Sequence, residues 1–236
     1  MRGVGKGSRR RGGRAVGALI AASLPLLVRR SLGRGLSGVW SKGASLPQGA
    51  FVLAANHHAW WDGYLAWLLL SCEGRRVALV MDDVQLGRFS FFRHRGAIGR
   101  SEPREALRRL TQGDVLVIYP EGALRPPGPP GPLHEGAAFF ARQAALPLVP
   151  MGARVVVRGA EKPEAYLNVG AALAPGDSRA ALTAALAAAL GSLLEEIDGL
   201  VARHDPETPL PGFASLSTGT RSSHQRSAWL ERLWRS

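Results

Sequence analysis

Cysteine is almost absent from this 236-residue chain. Cys72 stands alone, so no intrachain disulfide forms and no cysteine-cluster metal site can be built, which fits a reducing compartment. Cys72 follows the apolar run Leu68–Leu70 and reads as a small buried residue. Histidine is scarce too. Beyond the neighbours His57 and His58, none of the six is paired at a spacing that includes a third ligand, which argues against a metal enzyme. Acidic residues number 18 against 30 basic ones, and residues 1–42 contain no acidic residue at all. The ten basic residues between Arg2 and Lys42 supply most of the net charge of +12, so the excess belongs to the N-terminus and not to a folded surface. The aromatic–basic stripe on strands that single-stranded nucleic acid requires is missing, and no nucleic-acid partner is expected.

What is present describes a globular protein, 46% hydrophobic and 20% charged, with length for one domain and a full core. Apolar runs alternate with Gly and Pro, which predicts strands and helices in turn and an α/β layer architecture. Residues 1–14 are Gly- and Arg-rich with nothing to bury. Ala15–Val28 is apolar, falls short of the roughly 20 residues needed to cross the hydrocarbon core, and is interrupted by Pro25. An in-plane membrane anchor, its basic residues facing anionic head groups, is the expectation. A helix packed on the domain and a signal or short span are the alternatives.

The core is predicted to begin near Gly49. Strands are expected at Phe51–Ala55, Arg76–Met81, Ala97-Ile98, Asp114–Tyr119 and Pro147–Val157, with an edge strand at Leu167–Val169. Helices are expected at Gly63–Ser71, Pro103–Thr111, Glu135–Ala145 and Ser178–Val201, the second carrying a Glu105–Arg109 i,i+4 pair and the last capped by Asp177 or Ser178. Arg125–Pro132 is a Pro/Gly loop. After His204 the chain is polar and proline-rich, and 205–227 reads as a flexible tail ending in an interfacial turn at Trp229–Trp234.

Two constellations carry chemistry. The first is Asn56-His57-His58-Ala59-Trp60-Trp61-Asp62. Five residues are about 140° apart on a regular helix, so His57 and Asp62 meet only if the segment is a turn leaving the Phe51–Ala55 strand. A carboxylate on one imidazole nitrogen makes the other a better base, as in the hydrolase triad. A helix N-cap at Asp62 explains the spacing equally well. Trp60 and Trp61 read as core before substrate wall. The second constellation, Pro120-Glu121-Gly122-Ala123-Leu124-Arg125, lies just past a strand's C-terminal end, where α/β folds place ligands.

Together these motifs resemble the glycerolipid acyltransferase family, which includes 1-acyl-sn-glycerol-3-phosphate acyltransferases. Its first block is matched by Asn56, His57 and Asp62. Its Phe-Pro-Glu-Gly-Thr-Arg-Ser block resembles Tyr119–Arg125. Two further blocks resemble Gly96–Arg100 and Leu146–Pro150, so four lie in family order over roughly residues 36 to 175. The resemblance implies a single α/β domain with a mixed, mostly parallel sheet flanked by helices, with a domain at 36–203 between a membrane-associating segment at 1–35 and a tail at 204–236. It implies His57 as general base oriented by Asp62, and selects His57 over His58. Arg100, Glu121, Gly122 and Arg125 would bind the acceptor, a lysophospholipid or glycerolipid such as 1-acyl-glycerol-3-phosphate. The acyl donor would be acyl-CoA or acyl-carrier protein, with no cofactor and no metal, at the cytoplasmic face of a membrane with anionic lipid. The chain departs from the family at Ala123-Leu124-Arg125, where the hydroxyls are missing, and at Glu135, whose charge would repel a phosphate. A non-phospholipid acceptor, transfer to water, or a membrane- or nucleic-acid-binding protein without activity are the alternatives.

Overall fold

Successive residues of a strand point to opposite faces, so a sheet whose strands are apolar throughout must be covered on both sides. The computed structural model describes residues 25–176 and 178–220 and meets that requirement with helices on each face. A helix over residues 25–35 (α1) leads into β1 (Gly38–Gly43), β2 (Val52–Ala55), α2 (Asp62–Cys72), β3 (Val77–Met81), α3 (Asp83–Arg88), a 3-10 helix (Ser90–Arg95) and β4 (Ala97–Gly99). There follow α4 (Pro103–Thr111), β5 (Val115–Ile118), α5 (Gly136–Ala144), β6 (Leu148–Val156), β7 (Glu164–Val169), α6 (Arg179–Arg203) and β8 (Ala214–Thr218). The strands form one sheet in the order β4-β3-β5-β2-β6-β7-β1-β8. Five of its neighbouring pairs are parallel, while β6/β7 and β1/β8 are antiparallel. This is the mixed, mostly parallel α/β sheet expected.

Alternation assigns the two cores. Leu53 and Ala55 of β2, with Val115 and Val117 of β5, face α1 and α2. Val52 and Ala54, with Leu116 and Ile118, face α4, α5 and α6. Helix α6 buries Leu182, Leu186, Leu190, Leu194 and Ile197, a stripe at helical spacing, and Ser178 caps it by accepting from Ala181 N–H at 3.0 Å. Gly152 lets α6 approach β6 closely, because a Cβ there would lie 2.9 Å from that of Leu193. By length and mean hydropathy (1.5), α6 could also cross a membrane, alone among the described helices.

Several expectations need correction. Leu167–Val169 belongs to a longer strand that is not an edge but lies between β6 and β1. The core begins before Gly49, since β1 pairs with β7 along its whole length. The flexible tail predicted from residue 204 is folded over its described residues, 205–220. Leu210 is buried beside Tyr166, and β8 hydrogen-bonds β1. Its sequence, Ala-Ser-Leu-Ser-Thr, is polar because it is a half-exposed edge, so apolar patterning does not reveal it. Cys72 is exposed, because it closes the last turn of α2. Glu105 pairs with Arg108 and not Arg109, which is drawn instead to the buried Asp114. Trp60 is exposed and not core. The anchor expected at 15–28 and the turn at 229–234 fall mostly or wholly outside the described residues. The part of the anchor that is described packs on the domain through Val28, with Leu32 and Leu36 beside it, leaving Leu26 and Leu27 exposed.

Leu190 is fully buried between α6 and the sheet. Leu190→Ala should lower unfolding free energy by about 2–5 kcal/mol in a urea titration, and a loss below about 1 kcal/mol would mean that α6 is not packed as described.

Candidate active site

The site forms where β2 and β5, adjacent and parallel, release their chains at their C-terminal ends. After Ala55 the main chain of β2 turns away, but the side chain of Asn56 continues the ladder. Its amide donates to Ala153 O at 3.1 Å and its carbonyl accepts from Ala153 N–H at 2.7 Å, pinning the turn to β6. The chain then reverses through residues 57–61 and enters α2 at Asp62.

Asp62 is 1% exposed, and one of its oxygens organises the whole turn. Oδ2 accepts from His58 N–H at 2.8 Å and Ala59 N–H at 2.9 Å, and lies 2.8 Å from His57 Nδ1. The N-cap explanation fails in detail: Trp61 occupies the cap position, and no side chain bonds the cap. Asp62 instead faces backward, onto the loop. A carboxylate only accepts, so His57 Nδ1 is the donor in this contact, and in the neutral ring Nε2 then presents its lone pair. The His57 side chain is 27% exposed and its ring stacks on Tyr119, with centroids 4.5 Å apart. The partly buried imidazole is thus fixed in tautomer and tilt with one face of the ring covered.

The second motif braces the first. Glu121 is buried, and both carboxylate oxygens are engaged by backbone: Oε1 accepts from His57 N–H at 2.8 Å and Oε2 from Gly131 N–H at 2.9 Å. Arg125 N–H donates to His57 O at 2.7 Å. Gly122, at φ +69°, makes the turn between them, and a Cβ there would meet the His134 ring at 3.0 Å. His57, Asp62, Glu121, Gly122 and Arg125 are therefore brought together. The Arg125 guanidinium is exposed at the rim. Arg100 is not in this cluster. It follows β4, three strands from β2, and its guanidinium lies 3.6 Å from Asp82. Glu135 faces Arg179 at 3.5 Å, which offsets the negative charge the sequence places near the loop.

Three residues were not assigned roles by the sequence. Arg154, 2% exposed, holds Asp198 at 2.7 Å and the Gly128 carbonyl at 2.6 Å, and so tethers the Pro/Gly loop. His134 shields Gly122. Tyr119 backs the imidazole. A basic residue inside the otherwise apolar Leu148–Val156 run was the available signal for Arg154. His58, the rival to His57, accepts from Val155 N–H through Nε2 at 3.2 Å and so faces β6. Burial lowers its pKa, with Arg154 and His57 adding to the effect and Asp62 opposing it.

The sign of the His58 shift sets a pH dependence. A histidine whose folded pKa is depressed contributes fully above its ordinary value near ~6.5 and loses that contribution as pH falls through the folded value. Between pH 7 and 5 the melting temperature of the wild type should fall more steeply than that of His58→Gln. Equal slopes would remove His58 from the acid response.

Residues 40–154 match a family model described as acyltransferase. Among solved structures six chains match. One is the crystal structure of the 1-acyl-sn-glycerophosphate (LPA) acyltransferase PlsC from Thermotoga maritima, with a TM-score of 0.56 at 15% identity over 81% of this chain and 83% of that one. A search of the curated proteins gives no match.

Proposed function

We propose that this acyltransferase domain, matched over residues 40–154, uses His57 as its general base, acting on the hydroxyl of a glycerolipid or lysophospholipid. One observation carries this reading: His57 Nδ1 lies 2.8 Å from Asp62, which leaves Nε2 as the basic nitrogen. Nε2 takes the proton of the acceptor hydroxyl as its oxygen attacks the carbonyl carbon of an acyl thioester. The tetrahedral intermediate collapses, the carbon–sulfur bond breaks, and the imidazolium returns the proton to the departing thiolate. Asp62 keeps the tautomer correct and stabilises the imidazolium between the two steps. The donor is acyl-CoA or acyl-carrier protein, both of which present the same thioester.

For the acceptor we favour 1-acyl-glycerol-3-phosphate. The named substrate of the Thermotoga protein supports it, as does the exposed Arg125 guanidinium on the loop bonded to His57. Glu121 and Gly122 serve binding indirectly, by holding that loop, while Arg100 stands apart from the cluster beside Asp82. The membrane partner has support from exposed apolar groups near cations. Leu26 and Leu27 are 68% and 52% exposed beside Arg29 and Arg30. Trp60, three residues from the base, is 67% exposed. A peripheral or monotopic position at the cytoplasmic face follows from this reading.

Detergent-dispersed enzyme supplied with labelled acyl-CoA or acyl-carrier protein should transfer label to 1-acyl-glycerol-3-phosphate. His57→Ala should lower kcat by about 10²–10⁴. Full retention of activity would move the base elsewhere, and label appearing only as free fatty acid would make the protein a hydrolase. Sedimentation with vesicles should be stronger for anionic than for neutral lipid and should weaken as salt is raised; equal binding to both would remove the electrostatic contribution.

A further inference from the structure

Two buried oxygens at the centre of the site have no hydrogen-bond partner among the described residues: Asp62 Oδ1 and the Tyr119 hydroxyl. Their chemistry is complementary, since the carboxylate only accepts and the phenol can donate. His57 links them, with its ring stacked on Tyr119 at 4.5 Å and its Nδ1 at 2.8 Å from Asp62 Oδ2. Burial, and then the Asp62 carboxylate, push the phenol well above its usual range, so it keeps its proton and remains a donor. The carboxylate is lopsided: Oδ2 serves three donors and Oδ1 none. A buried carboxylate oxygen without a donor is costly, and Tyr119, whose phenol feels the Asp62 charge, is a buried donor without an acceptor.

We propose that Tyr119 is a positioning residue whose hydroxyl donates to Asp62 Oδ1, across a small side-chain adjustment or one bridging water, and thereby tempers the carboxylate that faces His57. The inference rests on the reading of His57 as the base. A donor on Oδ1 draws charge from the carboxylate and weakens its hold on the imidazolium, so His57 gives up its proton more readily. The other ionisable groups around His57 act elsewhere. Glu121 meets its backbone N–H, His58 faces β6, and Arg154 and Asp198 lie beyond His58.

Tyr119→Phe keeps the stacked ring and removes one oxygen. In full-length protein in detergent, the His57 ring resonance can be assigned by its loss in His57→Gln and then titrated by NMR. The variant should titrate at higher pH than the wild type, by about half to one pH unit. The acid limb of kcat/KM for acyl transfer should move by the same amount. An unchanged or lower His57 midpoint overturns the proposal. If the wild type transfers no acyl group, the functional reading fails separately, while the NMR titration still decides whether Tyr119 acts on the pair.

Discussion

The site hangs on a single oxygen. Asp62 Oδ2 gathers two backbone N–H groups and one imidazole, and this convergence gives residues 57–61 their shape. A loop of that length has many conformations, and three donors on one buried acceptor select among them. The same contact starts α2, aims His57 and places a carboxylate at the positive end of the helix. Remove it and the turn loses its organising centre as well as its charge.

A second carboxylate repeats the device one layer out. Glu121 spends both oxygens on backbone N–H groups, one from His57 and one from the Pro/Gly loop at Gly131. Arg154 holds the far part of that loop from beneath. The buried charges of the site thus act on backbone position, while Arg125 lies exposed on the loop beside them.

Much of this was legible in the chain. The strands at β2 and β5 were visible from β-branched and apolar runs, and a turn joining His57 to Asp62 was one of two readings of their five-residue spacing, the other being a helix N-cap at Asp62. Glu121 was visible as a residue of interest, but not as a brace, because nothing in Pro-Glu-Gly tells which backbone groups a carboxylate will meet. Strands β1 and β8 escaped notice for a physical reason. Gly-Val-Trp-Ser-Lys-Gly and Ala-Ser-Leu-Ser-Thr lack alternation strong enough to predict a strand, and they are held by partners more than a hundred residues away. Arg154, Tyr119 and His58 owe their roles to contacts across the fold, which sequence neighbours do not encode.

The pairing of β1 sets an order of assembly. Strands β2, β3, β4 and β5 lie within residues 52–118 and can find one another over short separations. Strand β1 must wait for β7, since Gly38 meets Glu164, and its other edge waits for Thr218. On a ribosome, the half of the sheet that carries His57 and Asp62 can therefore form while β1 stays unpaired, exposing a row of free N–H and C=O groups. The early segment carrying α1 is then the last to be locked, when Thr220 N–H reaches Gly33 O at 2.8 Å. A newly made chain would pass through an interval in which the segment carrying α1 is still unpaired, until the C-terminal strand arrives to lock it.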